Sequence, residues 1–343
     1  MKDIKFNIPY LAGSENDYIL DVFSEEFFAG NGKYTKKCHD ILSNIVGQNN
    51  VLLTDSCTSA LEICALLLRE RNTSQEVIIP SYTFSSTAAA FLKMGFEVNF
   101  CDVNPNSMMI DDDHAISLIN EKTCAIVAVH YGGDLAPLDK LSKSCSENDI
   151  FLIEDAAQAL GCYRDNLHAG NESDFSCFSF HETKNLHAGL AGAFFTKHKD
   201  FYERATYIWE RGTNRAAMLR GVVDKYTWVE VGGSYYPSEL QAAFLYNQLE
   251  NFDDNLDKRK KLHRSYENKF NIFESKGAKV NRQQIPQNII HNGHAFWVKG
   301  NSIEHASKII SNLKDHNISA YIGYTPLHNS PVGQKHSKDI NLI

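Results

Sequence analysis

Short apolar runs alternate with amphipathic stretches over most of the chain. Seven runs predict strands, at residues 50–53, 76–79, 97–101, 123–129, 150–153, 175–180 and 192–196. The stretches between them predict helices, among them 59–69, 86–93, 111–120 and 138–147. Because the strands are apolar throughout, both of their faces should be covered, which is typical of a mainly parallel sheet. We therefore predict an α/β fold with a seven-stranded sheet sandwiched by helices.

The pattern changes after residue 237. Helices are predicted at 238–250 and 253–274, followed by a strand at 295–299, a helix at 303–317 and a strand at 318–321. This arrangement predicts a large domain, residues 1–245, that includes an N-terminal arm. A smaller C-terminal α/β domain, residues 246–343, is expected to follow it.

Composition narrows the range of partners. The chain has 343 residues, a net charge of −8 and no long basic run, so we expect neither nucleic acid nor membrane as a partner. The eight cysteines are scattered without zinc-ligand spacing, and the N-terminus lacks the apolar core of a signal peptide. We expect no metal site and a cytoplasmic protein with reduced thiols.

Two residues that follow buried strands indicate a specific chemistry. Asp155 ends the apolar run 150–153, and Lys184 comes just after the aromatic run 175–180. In such sheets, ligands bind beyond the carboxyl ends of the strands. Pyridoxal phosphate (PLP) requires a lysine amine for its aldehyde and a carboxylate that keeps its pyridine nitrogen protonated. Asp155 could instead be a helix N-cap, and Lys184 an ordinary surface lysine.

Other residues could complete such a site. The turn 54–59 opens a helix, and the amides of Cys57 and Thr58, with the Thr58 hydroxyl, could bind a phosphate. An ordinary helix cap is the commoner role for such a turn. An aromatic residue of segment 80–84 could lie on the cofactor ring or pack in the core. Gln158, one helical turn after Asp155, could reach the phenolic oxygen of the ring.

Five motifs in order carry a family resemblance. They are Ser-Cys-Thr-Ser-Ala-Leu (56–61), Pro-Ser-Tyr-Thr-Phe (80–84), Glu-Asp-Ala-Ala-Gln (154–158), Ser-Phe-His-Glu-Thr-Lys-Asn (179–185) and Tyr-Thr-Pro-Leu-His (324–328). Together they resemble the DegT/DnrJ/StrS family of sugar-nucleotide aminotransferases, which are PLP enzymes of fold type I. The resemblance runs from about residue 8 to residue 331, and five ordered motifs are far more specific than any single one.

The resemblance implies a role for each matched residue. Lys184 would be the catalytic lysine, and the predicted cofactor-binding residues are Cys57, Thr58, Phe84, Asp155, Gln158, Ser179 and Lys184. A homodimer is implied, in which Ser234 of the partner subunit completes the phosphate site. The predicted substrate contacts are His181, Glu182, Tyr324 and His328.

The pair His181-Glu182, where many members have Tyr-Pro, most resembles the branch that acts on a dTDP-4-keto-6-deoxyhexose. That branch implies amino transfer from glutamate to C4, for surface polysaccharides such as O-antigen. A 3-keto sugar aminotransferase, a PLP-dependent sugar dehydratase with histidine in place of the lysine, and a non-catalytic PLP-binding regulator are the alternatives. The presence of Lys184 disfavours the dehydratase.

Three features depart from the family pattern. Cys57 stands where glycine is common, and Ser234-Tyr235-Tyr236 stand where Asn-Tyr-Arg is common. The sequence also ends at Ile343, soon after His328, so either the form is truncated or its small domain is closed in another way. We expect reduced stability or dependence on the dimer.

Overall fold

A seven-stranded sheet lies at the centre of the protein in this computed structural model, which describes residues 3–69, 75–336 and 342. The strands of this part are β1 (Val51–Thr54), β2 (Glu76–Pro80), β3 (Glu97–Cys101), β4 (Thr123–Val129), β5 (Phe151–Asp155), β6 (Tyr163–Arg164), β7 (Leu167–His168), β8 (Phe175–Ser179), β9 (Gly192–Thr196) and β10 (Ile289–Ile290). The large sheet has the order β1-β9-β8-β5-β4-β2-β3, and a small sheet has the order β10-β6-β7. In the large sheet only the β1–β9 and β8–β9 pairs are antiparallel. The predicted seven-stranded, mainly parallel sheet is confirmed.

Helices cover both faces of this sheet. They are α1 (Glu15–Glu25), α2 (Lys33–Val46), α3 (Cys57–Arg69), α4 (Ser85–Lys93), α5 (Asp112–Ser117), α6 (Asp139–Glu147), α7 (Lys199–Trp209), α8 (Arg215–Leu219), α9 (Glu239–Glu250), α10 (Phe252–Ser275), α11 (Ile303–Asp315) and α12 (Gly333–His336). A 3₁₀ turn lies at Leu327–Asn329. Helix α3 is the central one, since every residue from Ser59 to Leu68 is buried. It packs against α4, α7, β8 and β9, and this contact fixes the start of α3 relative to the ends of the strands.

Glu239 at the start of α9 joins two helices that are distant in sequence. The N-cap of α2 is Gly32, which has no side chain to satisfy the free N–H groups of the first turn. Glu239, which is 2% exposed, accepts hydrogen bonds from the backbone N–H groups of Gly32, at 2.8 Å, and Tyr34, at 2.7 Å. The backbone N–H and hydroxyl of Thr35 also donate to it. A buried carboxylate with four donors therefore caps α2 from another part of the chain.

The C-terminal region differs from the prediction. Helix α11 forms, but the strands predicted at 295–299 and 318–321 do not. Each segment instead makes a single bridge, between Val298 and Arg282 and between Ile318 and Ile4. Neither segment pairs with a neighbouring strand over several residues. A short strand pair whose apolar face is not covered is only marginally stable. None of the side chains of α11 is buried, so this helix does not provide such a cover.

The division into domains 1–245 and 246–343 stays a prediction. Residues 337–341 and 343, which include the end of the chain at Ile343, lie outside the described part.

Among the residues that are described, no helix is both long and apolar enough to cross a bilayer.

Candidate active site

The ends of β5, β8 and β1, with the start of β9 between β8 and β1, bring the predicted site residues together. Asp155 is the last residue of β5, which pairs with β8, and the turn that carries Lys184 follows β8. Gly192 on β9 pairs with both Ser179 at the end of β8 and Thr54 at the end of β1. Helix α3 starts at Cys57, after the two residues that follow Thr54. The carboxylate, the lysine and the start of α3 therefore share one edge of the sheet.

Asp155 is a buried carboxylate, 5% exposed, with a donor on each oxygen. The hydroxyl of Thr87 donates to Oδ2 at 2.7 Å, and the backbone N–H of Ala157 donates to Oδ1 at 3.2 Å. Burial raises the pKa of Asp155, while these two hydrogen bonds and the charge of Lys184 oppose the rise. A cationic N–H placed beside this carboxylate would favour its ionised form.

Lys184 is a partly buried amine close to that carboxylate. Burial lowers the pKa of Lys184, and the neighbouring Cys57 and Asp155 oppose the effect. A lower pKa increases the fraction of free amine near neutral pH, which is the nucleophilic and proton-accepting form. The turn is fixed by its backbone, because the N–H of Lys184 donates to the carbonyl of His181 at 2.8 Å.

The start of α3 offers backbone donors that no residue in the described part of the chain uses. Ser56 caps the helix, with its Oγ accepting from the N–H of Ser59 at 3.1 Å. The N–H groups of Cys57 and Thr58 lie in the first turn, where no carbonyl of the helix can accept from them. The Thr58 hydroxyl donates to Ser86 Oγ at 2.8 Å. Burial raises the pKa of Cys57 well above its ordinary value, so the thiol is neutral and would not repel an anion. The turn can therefore bind a phosphate group, despite the side chain of Cys57.

Gln158 has a fixed amide orientation. Its Oε1 accepts from the backbone N–H of Gly132 at 2.7 Å, so the NH₂ group must face the other way. Nε2 donates one hydrogen to the phenol oxygen of Tyr324 at 2.9 Å. The amide thus already binds one phenol oxygen, and it carries a second N–H that can bind another.

Aromatic rings form one wall of the site. Tyr82, Tyr131 and Tyr324 lie with their ring centroids 5.3 to 5.8 Å apart. Burial and the charge of Asp155 raise the pKa of Tyr324 to about 12, so its phenol stays neutral. The Phe84 ring lies 6.2 Å from Tyr324 and is 58% exposed, which leaves one of its surfaces available to a planar ligand.

The predicted substrate residues lie in different environments. His181 and Glu182 are exposed on the turn that precedes Lys184, and Tyr324 belongs to the aromatic wall. His328 is only 2% exposed and its Nδ1 hydrogen-bonds to Ser81, so its role at the sugar stays a prediction that requires the ring to move. Ser234 bridges to Glu210, and its contribution to a partner subunit also stays a prediction.

A cavity beside Lys184 is lined in part by His294 and Asn292, two residues that the sequence did not predict. The cavity is lined by Gln158, Ser179, Lys184, Asn185, Asn292 and His294, among others. His294 Nδ1 lies 3.0 Å from Asn185 Oδ1, so it carries the proton and Nε2 keeps its lone pair. Burial, with Lys184 and Arg259, lowers the pKa of His294 well below its ordinary value. Only the His-Asn-Gly-His run at 291–294 could have drawn attention to it.

These donors and acceptors match the groups of PLP one for one. The start of α3 can bind the phosphate, Asp155 the pyridine nitrogen, Gln158 the ring oxygen and Lys184 the aldehyde. Each match rests on a group that is positioned by other contacts in the protein, so the residues present fit this cofactor.

Comparisons with known proteins agree with this geometry. The family model of the DegT/DnrJ/EryC1/StrS aminotransferases matches residues 9–342. The UDP-4-amino-4,6-dideoxy-N-acetyl-beta-L-altrosamine transaminase of Campylobacter jejuni is 28% identical, with 75% of this chain and 67% of that protein covered. The GDP-perosamine synthase of Caulobacter vibrioides is 26% identical, with 84% and 74% covered. The dTDP-4-dehydro-2,3,6-trideoxy-D-glucose 4-aminotransferase of Saccharopolyspora spinosa is 23% identical, with 96% and 86% covered.

A solved structure shows the same fold. PseC of Helicobacter pylori superimposes with a TM-score of 0.88 at 22% identity, and the match covers 97% of this chain and 88% of that chain. The predicted fold type I is thereby confirmed. The chain belongs to the DegT/DnrJ/EryC1/StrS aminotransferase family, whose members depend on PLP.

Proposed function

We propose that this enzyme transfers an amino group from glutamate to C4 of a dTDP-4-keto-6-deoxyhexose. The product would be a dTDP-4-amino-4,6-dideoxyhexose for a surface polysaccharide such as O-antigen. The observation that carries the proposal is the placement of the Lys184 amine and the Asp155 carboxylate at one edge of the sheet. Relatives named for UDP, GDP and dTDP sugars support a nucleotide sugar as the acceptor.

The residues of this chain would perform the proton transfers. PLP, when bound, supplies a protonated pyridine ring that stabilises negative charge on a carbon that loses its proton. Asp155 holds that pyridine proton in place through its ionised carboxylate. Lys184 Nζ takes the proton from the α-carbon of glutamate, and it later delivers a proton to C4 of the sugar. Its lowered pKa suits both steps, because the amine must accept and release a proton near neutral pH.

The remaining residues would bind and orient the reactants. The amides of Cys57 and Thr58, with Ser179, hold the phosphate, and Gln158 holds the ring oxygen against rotation. The aromatic wall excludes water from one side, which strengthens the electrostatic contacts inside. His181 and Glu182 are exposed on the turn that carries Lys184, which suits them to contact the sugar nucleotide.

We propose a homodimer as the active form. Large apolar side chains are exposed in and just after α1 and on the loop around residue 228, including Phe23 at 55%, Phe27 at 45% and Trp228 at 74%. Such exposure favours burial against another copy of the chain. In this arrangement Ser234 of one subunit would reach the phosphate of the other. We also propose a cytoplasmic location, where the sugar nucleotide and glutamate are supplied.

Incubation with dTDP-4-keto-6-deoxyglucose, glutamate and PLP, followed by NMR of the product, tests this function. We expect an amine at C4 and 2-oxoglutarate in equal amount, and none of either from Lys184→Ala. The GDP and UDP forms of the keto sugar, run in parallel, should react more slowly. Turnover of the 3-keto isomer to a 3-amino sugar, with no turnover of the 4-keto form, would show the 3-keto alternative to be correct. Preference for a GDP or UDP sugar would refute the choice of nucleotide. A yellow protein that never turns over glutamate would indicate the regulator.

A further inference from the structure

Two buried threonine hydroxyls form a chain that ends at Asp155. Thr83 and Thr87 are 1% and 0% exposed. Thr87 Oγ1 donates to Asp155 Oδ2 at 2.7 Å, and Thr83 Oγ1 lies 2.9 Å from Thr87 Oγ1. Thr87 lies in the first turn of α4 and Thr83 comes four residues earlier, directly before the helix N-cap. Their contact therefore depends on how the segment between β2 and α4 leads into the helix.

The direction of these hydrogen bonds follows from the number of protons. A hydroxyl has one proton, and Thr87 gives its proton to the carboxylate. The hydroxyl of Thr83 must therefore donate to the oxygen of Thr87. This second bond occupies a lone pair of Thr87 and holds its proton towards Asp155. The chain thus acts as a donor to the carboxylate, not as an acceptor from a carboxylic acid.

This direction matters because burial works against the ionised form of Asp155. A neutral carboxylic acid would donate a proton to the pyridine nitrogen, whereas a carboxylate accepts from the protonated nitrogen. Only the second arrangement withdraws electrons from the reacting carbon. The backbone N–H of Ala157, at 3.2 Å, is the other donor to this carboxylate among the described residues.

We propose that Thr87, oriented by Thr83, is a positioning residue that keeps Asp155 ionised beneath the pyridine nitrogen. This role rests on the proposed function, since it requires PLP to be bound with its nitrogen at Asp155. It assigns a purpose to the Thr83 position of the Pro-Ser-Tyr-Thr-Phe motif, which the aromatic neighbours Tyr82 and Phe84 do not explain. Neither threonine needs to touch the cofactor.

The test compares Thr87→Val, Thr87→Ser and Thr83→Val with the wild type. Valine keeps the shape of threonine and removes the hydroxyl, while serine keeps the hydroxyl and removes the methyl group. Titration of each apoprotein with PLP should give a dissociation constant about tenfold higher for Thr87→Val, which equals about 1.4 kcal/mol. Thr83→Val should raise it about threefold, since its effect is indirect. Thr87→Ser should stay within about twofold of the wild type.

A second readout reports on the proton itself. Bound PLP labelled with ¹⁵N in the ring should show a protonated nitrogen in the wild type and in Thr87→Ser. In Thr87→Val the nitrogen signal should shift towards the unprotonated value. A role in packing alone would lower thermal stability without moving this signal. Wild-type affinity and an unchanged nitrogen signal in Thr87→Val would overturn the proposal, as would equal losses in the valine and serine variants. If the wild type itself fails to hold PLP at Lys184, the proposed function fails as well.

Discussion

Gly192→Ala should weaken cofactor binding by displacing the start of α3. Gly192 lies between the ends of β1 and β8, with Thr54 and Ser179 as its partners. A Cβ at this position would lie 2.5 Å from the carbonyl carbon of Ser56 and 2.7 Å from its oxygen, and it would also overlap the backbone nitrogen of Cys57. These are backbone atoms of the turn that would bind phosphate, so no flexible side chain can move aside.

The size of the effect follows from the overlap. Ordinary contact begins at 3.4 Å, so the turn must retreat by about 1 Å. A hydrogen bond of about 2.9 Å from Cys57 or Thr58 to the phosphate would then exceed its useful length. Each hydrogen bond to a charged group contributes about 1.5–3 kcal/mol, so the loss of two costs at least about 3 kcal/mol. The dissociation constant of PLP should rise by about a hundredfold or more.

The assay is a titration of apoprotein with PLP, followed by the visible absorbance of the lysine-bound cofactor. Gly189→Ala is the matched control, because Gly189 lies three residues earlier, in the loop that leads to β9, with nothing within 4 Å of an added Cβ. Its φ of +72° makes that substitution cost about 1 kcal/mol of folding stability without moving the turn. If Gly192→Ala binds PLP as tightly as the wild type, the phosphate is not held at the start of α3.

Three further predictions test separate parts of the structure. Glu239→Gln should lower the free energy of unfolding in urea by about 2–4 kcal/mol, because it removes the charge of a buried acceptor of four donors. The control, Glu25→Gln at an exposed ion pair, should lower it by under about 1 kcal/mol. Equal losses would refute the role of Glu239 as the cap of α2. Burial raises the pKa of Asp134 to about 6, above the value of about 4 in the unfolded chain. Between these values the folded apoprotein keeps a proton that the unfolded chain has released. The free energy of unfolding should therefore fall by up to about 3 kcal/mol as the pH rises from about 4 to about 7. Urea unfolding of Asp134→Asn should lack that fall, and an identical pH dependence would contradict the assignment. Gln158→Leu should raise the dissociation constant of PLP, measured by titration, about five- to tenfold. Tyr324→Phe should raise it less than about threefold, because the N–H of Gly132 still orients the Gln158 amide. A larger effect of Tyr324→Phe than of Gln158→Leu would refute the role of Gln158.

The sequence predicted the sheet well, because each apolar run is bounded by polar or turn residues. The ends of all seven strands lie within two residues of the prediction. The same regularity located the start of α3, Asp155 and the turn at Lys184, since these follow the ends of strands. Nothing in the local pattern could predict Glu239 as the cap of α2, because the two are separated by about two hundred residues. Thr87 and His294 were missed for the same reason, since their partners lie on other elements.

The two C-terminal strands were predicted from local composition, but the fold does not supply the neighbouring strand that each of them needs. Residues 295–299 and 318–321 have the composition of strands, but a strand also needs a neighbour over several residues. Val298 and Ile318 each find a partner at a single position. Periodicity cannot reveal whether such a neighbour exists.

Reduction of the PLP-loaded protein with borohydride, followed by peptide mass spectrometry, tests the central claim most directly. The reagent fixes the cofactor to the amine that holds it. We predict a single pyridoxyl group on the peptide that contains Lys184, and no label in Lys184→Ala. A label on another lysine, or an unlabelled protein after reduction, would contradict the assignment of this site.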